Sequence, residues 1–388
     1  MKKILILNNN LHIGGVQKAL VNLLCEVHDQ YEITLALFYP HGELLKNIPE
    51  DVTILPIQSC YRYLGMSKND CSNFWEFLCR SFFAAISRLF GRKYAIWLMG
   101  FGQKTLEGYD VAISYLHNSK EKAFYGGCND FLLRHVSAPK KITCLHGDYQ
   151  LCGANTKENA VQYAQFDFIT ACSQGCADSF LQANPMLKGK MRVLPNCQDF
   201  EKIRQDAEKM PVSWKDGKLH IVTIARMGKE KGVPRAVEAF GALEEFRDKY
   251  HYTIIGDGVE RPVVEEKIRQ YGLEDQITLM GEMANPYGYL KASDLLLIPS
   301  VSEAAPMVIG EAVCLGTPIL STRTSSAEEM IAAPGYGWVC ENNVKGLVGA
   351  LAEIFKNSTE IAEKKQNISR IEMDNALAVS MFSKLLNE

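Results

Sequence analysis

Two successive series of short apolar runs, each run too brief for a helix, constrain this chain more than any other feature. The first series is Ile4 to Leu7, Ile33 to Tyr39, Val111 to Tyr115, Ile142 to Leu145 and Phe168 to Ala171. Amphipathic stretches with helical spacing lie between them, and that alternation is the pattern of a parallel sheet whose strands are joined by crossover helices. After Arg192 to Leu194 the chain passes through Pro195-Asn196 and a polar stretch from Asp199 to Lys218, where a domain boundary is expected. A second series follows: Leu219 to Ala225, Tyr252 to Ile255, Ile277 to Met280, Leu295 to Ile298 and Pro318 to Leu320.

The expected fold is therefore α/β, with two Rossmann-like doubly wound domains in tandem, facing each other across a cleft. The expected division is 1–198, 199–370 and a C-terminal helix, 371–388, free to cross back to the first domain. With 388 residues, 47% of them hydrophobic, each domain has enough material for its own core. A formal net charge of −3 implies no general polyanion surface, so nucleic acid is not an expected partner. The 12 cysteines are diluted over the chain and sit largely in apolar segments, as Cys25, Cys144, Cys172 and Cys314 do. They read as reduced thiols, and Cys172 and Cys176 lack the second pair that a metal centre needs. Ile4 to Leu7 is too short for a signal segment, and no apolar run approaches the ~20 residues of a spanning helix, so a cytoplasmic protein is expected.

Four loops at strand ends invite anions. His12-Ile13-Gly14-Gly15-Val16 follows the first run and opens a helix. Its glycines would let amides approach a ligand at the helix N-terminus, or simply make a tight turn. Arg226-Met227-Gly228-Lys229-Glu230-Lys231-Gly232 places two cations, Arg226 and Lys231, around a glycine-containing loop, and Gly256-Asp257-Gly258 ends another run. The most specific segment runs from Ser300 to Pro318 and holds Glu303 and Glu311 with seven residues between them. Pro306 is expected at the first helical position, where its missing N–H costs nothing. The amides near Met307 and Val308 would then face a phosphate while the two carboxylates accept bonds from sugar hydroxyls on either side.

These motifs resemble the family-4 glycosyltransferases, whose GT-B fold pairs two Rossmann-like domains and whose hallmark is a Glu-x7-Glu motif. The likeness is strongest from Leu219 to Met330. It implies a retaining hexosyltransferase in cell-surface polysaccharide synthesis, using a nucleotide sugar, by preference UDP-linked, and needing neither cofactor nor metal. It assigns Arg226 and Lys231 to the donor diphosphate, Glu303 to the donor sugar, Glu311 to the ribose and Glu282 to the base. Gly256 and the Ala305, Pro306, Met307 and Val308 turn line the donor, Gly14 and Gly15 match the family's N-terminal glycine loop, and His146 matches a histidine beside the transferred sugar. Ala304-Ala305-Pro306 departs from the commoner Gly-Phe-Pro, and Asn196 and Asp199 resemble the family's interdomain Asn-Gly-x-Asp pattern with Cys197 in place of its glycine.

The acceptor implied is a glycan or lipid-linked glycan. From Phe74 to Phe101 the chain is rich in aromatics, with Arg80, Arg88, Arg92 and Lys93 among them. Such a segment either lies on a membrane surface, at the inner face of the cell membrane, or packs into the core with its cations in water. A sugar-nucleotide epimerase of similar architecture, or a non-catalytic nucleotide- or glycan-binding module, would share the same loops.

Overall fold

Strand-forming runs buried on both faces organise the chain, as in β1 (Lys3–Asn8), where Ile4, Leu5, Ile6 and Leu7 are all fully buried. The computed structural model describes residues 1–120 and 122–388. Unit one comprises Met1–Cys197 and Asn375–Glu388, and unit two comprises Gln198–Asp374.

In unit one, β2 (Glu32–Leu37), β3 (Thr53–Pro56), β4 (Val111–Ser114), β5 (Lys140–Leu145), β6 (Phe168–Ala171) and β7 (Met191–Val193) join β1 in a sheet of order β3-β2-β1-β4-β5-β6-β7, every neighbouring pair parallel. Unit two repeats the plan with β8 (Leu219–Ile224), β9 (Tyr250–Ile255), β10 (Ile277–Gly281), β11 (Leu295–Ile298), β12 (Ile319–Thr322) and β13 (Gly337–Cys340), in the order β10-β9-β8-β11-β12-β13, again all parallel. Both sheets are doubly wound. The order reverses between β1 and β4 in one unit and between β8 and β11 in the other, and loops leaving the carboxyl ends of such strands diverge to opposite faces and open a crevice.

The C-terminal helix Ala376–Asn387 returns to unit one. Ala378, Phe382, Leu385 and Leu386 are buried against Leu20, Leu24 and Val27 of the first helix. Lys2 Nζ donates to Leu386 O at 2.7 Å, and Arg192 pairs with Glu388. The Phe74–Phe101 segment forms two helices, Phe74–Phe90 and Arg92–Met99, joined at Gly91 with φ +93°. Phe83, Ile96 and Met99 enter the core of unit one.

Candidate functional site

In unit two the loops after β8, β9 and β11 are tied to one another by the backbone. Ala225 N–H donates to Ile255 O at 3.0 Å, Met227 N–H to Asp257 O at 2.7 Å and Val301 N–H to Glu230 O at 2.8 Å. Two glycines make this possible. Gly256 has φ +138°, and a Cβ there would lie 1.9 Å from Ala225 O; Gly232 has φ +63°, and its Cβ would meet Pro299 O at 2.2 Å. Only a residue without a side chain tolerates that geometry. Arg235 Nη2 donates to Pro299 O at 2.7 Å and to Asn342 Oδ1 at 2.9 Å, which fixes the start of the β11 loop.

This scaffold brings Lys231 and Glu303 together. Lys231 Nζ lies 2.6 Å from Glu303 Oε1, and Ser300 Oγ donates to the same oxygen at 2.8 Å. Ser325 Oγ donates to the backbone O of Glu303 at 2.7 Å. Both charged side chains are largely buried. Removing one partner of such a pair would leave the other charge poorly solvated. The ammonium retains two further N–H donors for an anion. Arg226 is not part of this cluster: its side chain is 78% exposed and pairs with Glu230 at 3.0 Å. Glu282 is likewise exposed, just beyond Gly281, whose O accepts from Gly256 N–H at 2.7 Å.

The helix after Glu303 spans Met307–Cys314 and begins one residue later than expected. Pro306 has φ −67° and ψ +126°, so it is extended and caps the helix from outside instead of starting it. Its ring fixes a helix-compatible φ, but the chain needs an extended ψ there to turn from the β11 loop into the helix. Met307 and Val308 thus become the first helical residues, whose amides have no intrahelical acceptor. No acidic residue occupies that first turn to neutralise the positive end of the dipole. Ala304 is buried and Ala305 half-buried between Glu303 and this turn.

Glu311 is 6% exposed and accepts from the Tyr287 hydroxyl at 3.2 Å. Burial, and then the Glu311 charge, push the Tyr287 phenol well above its ordinary range, so it remains a donor. At Gly310 a Cβ would meet Gln198 Nε2 at 2.1 Å, and that amide donates to Met307 O at 3.1 Å. Tyr287 and Gln198 carry no motif that would have marked them in the sequence.

In unit one, Gly14 is extended at φ −168° and precedes the helix Gly15–Val27. Neither glycine is forced by a left-handed backbone, and a Cβ at Gly14 would meet only the mobile end of Gln17 at 2.5 Å. The Ile13 amide beside them donates to Glu43 Oε2 at 3.2 Å. His146 follows β5 directly and packs its ring against Tyr115 at 4.7 Å. Its Nε2 is enclosed without a hydrogen-bond partner, as is Nδ1 of His117, which follows β4. Burial pushes His117 down to about 4; burial and then the neighbouring His117 push His146 down to about 3. The sequence carried a signal for His117, because a Leu-His pair follows each of the neighbouring runs, Leu116-His117 after β4 and Leu145-His146 at the end of β5.

Both histidines are neutral near pH 7, and the unfolded chain binds protons that the folded chain refuses between pH 6.5 and their depressed values. Stability therefore falls as pH falls through that window. A depression from 6.5 to about 4 at His117 corresponds to about 3 kcal/mol if fully expressed. Urea unfolding at about pH 7 and about pH 4.5 should show this loss, with a clearly shallower slope in His117→Gln. Equal slopes in the two proteins would contradict it.

Among the described residues, no three His, Cys, Asp or Glu side chains gather as a metal site requires.

Residues 204–371 match the protein family described as Glycosyl transferases group 1. Over 153 residues the chain is 33% identical to the "Putative colanic acid biosynthesis glycosyltransferase WcaL" of Escherichia coli (strain K12), a stretch covering 37% of each protein. Over 152 residues it is 28% identical to the amylovoran biosynthesis glycosyltransferase AmsK of Erwinia amylovora, again 37% of each. The match thus spans little more than a third of the length of these curated relatives. Among solved structures, Anabaena Alr3699/HepE in complex with UDP superposes with a TM-score of 0.69 at 18% identity, covering 100% of both chains. At that identity the likeness is one of fold, two Rossmann-like domains of the GT-B kind.

Proposed function

We propose, from the match of residues 204–371 to the family described as Glycosyl transferases group 1, that this chain is a retaining glycosyltransferase of polysaccharide synthesis, moving a hexose or N-acetylhexosamine from a UDP-linked donor to a glycan or lipid-linked glycan. The observation that carries this reading is the Lys231, Ser300 and Glu303 cluster beside the first-turn amides of Met307 and Val308. A cation and free amides suit the diphosphate, and carboxylates suit hydroxyls. The names of WcaL and AmsK, both glycosyltransferases of polysaccharide biosynthesis, support the pathway class. HepE's complex with UDP supports the choice of nucleotide.

On this reading Lys231 and the helix amides hold the diphosphate, and Arg226 swings from Glu230 to join them. Glu303 holds the donor sugar, Glu311 the ribose and Glu282 the base, while Gly256 and the Ala305 and Pro306 turn shape the donor pocket. By the resemblance, Gly14 and Gly15 are proposed to contact the donor, and His146, neutral at working pH, to donate or accept a hydrogen bond at the transferred sugar. In the transfer the bond from the anomeric carbon to the phosphate oxygen breaks and a bond to the acceptor oxygen forms on the same face. The acceptor proton passes to the departing phosphate. Charge growing on that phosphate is stabilised by Lys231, Arg226 and the amides, so the reaction is proposed to need no cofactor or metal.

The test is a thermal-shift screen of UDP-, GDP- and ADP-sugars in EDTA, since a ligand that binds only the folded chain raises its apparent stability. We expect a shift with UDP-sugars that Lys231→Ala abolishes and Arg226→Ala, at an exposed residue with a surface partner, only reduces. If no sugar nucleotide shifts the wild type at saturating concentration, the reading is overturned.

A further inference from the structure

The helix Phe74–Phe90 is amphipathic in a way that water alone would not favour. Its buried side is narrow, consisting of Phe83, Ala84 and Ser87. Its opposite side is apolar and exposed: Trp75, Leu78, Phe82 and Leu89 share one face by their helical spacing, and Trp75 is 73% exposed. The adjoining helix Arg92–Met99 continues the theme, with exposed Tyr94, Trp97 and Leu98, followed by Phe101 at 91% exposure. Soluble chains rarely leave so many large apolar side chains in water within one segment, and such a patch marks an interaction surface.

The charges around it say what covers it. From 74 to 104 the chain holds Arg80, Arg88, Arg92, Lys93 and Lys104 against one acid, Glu76, in a protein of net charge −3. Glu76 is already engaged by Ser72 and Arg62. Arg92 is buried beside Asp130, and Arg80 donates to Met66 O. Arg88, Lys93 and Lys104 are exposed, and among the described residues none of them has an ion-pair partner. Exposed rings flanked by unpaired cations match a surface that is apolar beneath and dense in phosphate above. Trp and Tyr are the side chains that settle at the boundary between headgroups and hydrocarbon. No helix among the described residues is long and apolar enough to cross a membrane.

We infer that the helices Phe74–Phe90 and Arg92–Met99, with Phe101, form a docking surface for an anionic lipid bilayer, in which Trp75, Phe82, Trp97 and Phe101 enter the interface and Arg88, Lys93 and Lys104 meet the headgroup phosphates. The helices lie in the plane of the interface, as amphipathic segments do when both apolar burial and attraction to anionic lipid contribute. The surface belongs to unit one and does not depend on the reading of the donor site.

Flotation of the full chain with vesicles tests this. Binding is expected with phosphatidylcholine carrying about a third phosphatidylglycerol, and little with phosphatidylcholine alone. The triple variant Trp75→Ala, Trp97→Ala, Phe101→Ala should bind about tenfold more weakly or worse, and Arg88→Glu with Lys93→Glu should remove the preference for anionic lipid. All substituted side chains are exposed, so circular dichroism and thermal unfolding should match the wild type. Brominated lipid should quench tryptophan emission in the wild type but not in Trp75→Phe, Trp97→Phe, which retains binding. The inference is overturned if the wild type fails to float with either vesicle, if the triple variant floats as well as the wild type, or if sedimentation shows instead a dimer that only the triple variant loses. UDP-sugar thermal shifts in the same variants should stay at the wild-type value, which separates this result from any failure of the donor reading.

Discussion

Glu303→Ala is expected to lower sugar transfer by about three orders of magnitude while leaving donor affinity within about threefold of the wild type. The physical basis is the position of the carboxylate. Glu303 is held by Lys231 at 2.6 Å and by Ser300 at 2.8 Å, directly before the helix whose amides would meet the diphosphate. In the proposed reaction its contact with the donor sugar matters most as the anomeric carbon gains positive character, so its loss should appear in kcat. Lys231→Ala should instead raise the apparent KM and the donor Kd, since the ammonium meets the diphosphate before and during transfer. A double-mutant cycle separates the two roles. If Glu303 did nothing but hold Lys231, the double variant would equal Lys231→Ala alone and Glu303→Ala would mainly lose affinity. That pattern would remove Glu303 from the chemistry.

Gly256→Ala is expected to destabilise unit two by about 3–5 kcal/mol, near the upper end for a single substitution. The backbone at Gly256 has φ +138°, and the new Cβ would lie 1.9 Å from Ala225 O, which belongs to a strand-end loop and has no freedom to withdraw. The strain would also break the Gly256 N–H to Gly281 O bond that ties the β9 loop to the end of β10. Gly272→Ala supplies the comparison: it too has positive φ, +59°, but nothing lies within 4 Å of its Cβ. There only the conformational cost remains, about 1 kcal/mol. Denaturant unfolding followed by loss of donor binding should rank the two variants in that order. Equal effects would mean that the close approach to Ala225 is relieved elsewhere.

Much of the fold was legible from the chain alone because its strongest terms are local. A strand buried on both faces must be a continuous apolar run, so β1, β2, β4, β5, β6, β8, β9, β11 and β12 were visible as such runs, and the edge strand β10 was visible too, at Ile277 to Met280. The edge strands β3 and β13 were not. Thr53–Pro56 is at most half-buried and Gly337–Cys340 has neighbours on one side only, so neither needs an unbroken apolar sequence. Pro306 shows the limit at one residue: its φ is set by its ring, but its ψ is set by the turn that the β11 loop must make.

Within the candidate site, the sequence determined which residue types stand at strand ends, and with them the glycines and the paired glutamates. It did not determine which charges meet. Arg226 and Lys231 looked equivalent in one loop, yet Lys231 closes on Glu303, 72 residues away, while Arg226 stays in solvent on Glu230. The choice follows from the loops being pinned together by Gly232, Gly256 and the backbone bonds between them, a geometry that exists only once the parallel sheet has formed. The same holds for His117 and His146. Their residue type is local, but their neutrality comes from burial at the ends of adjacent strands, which only the tertiary structure supplies.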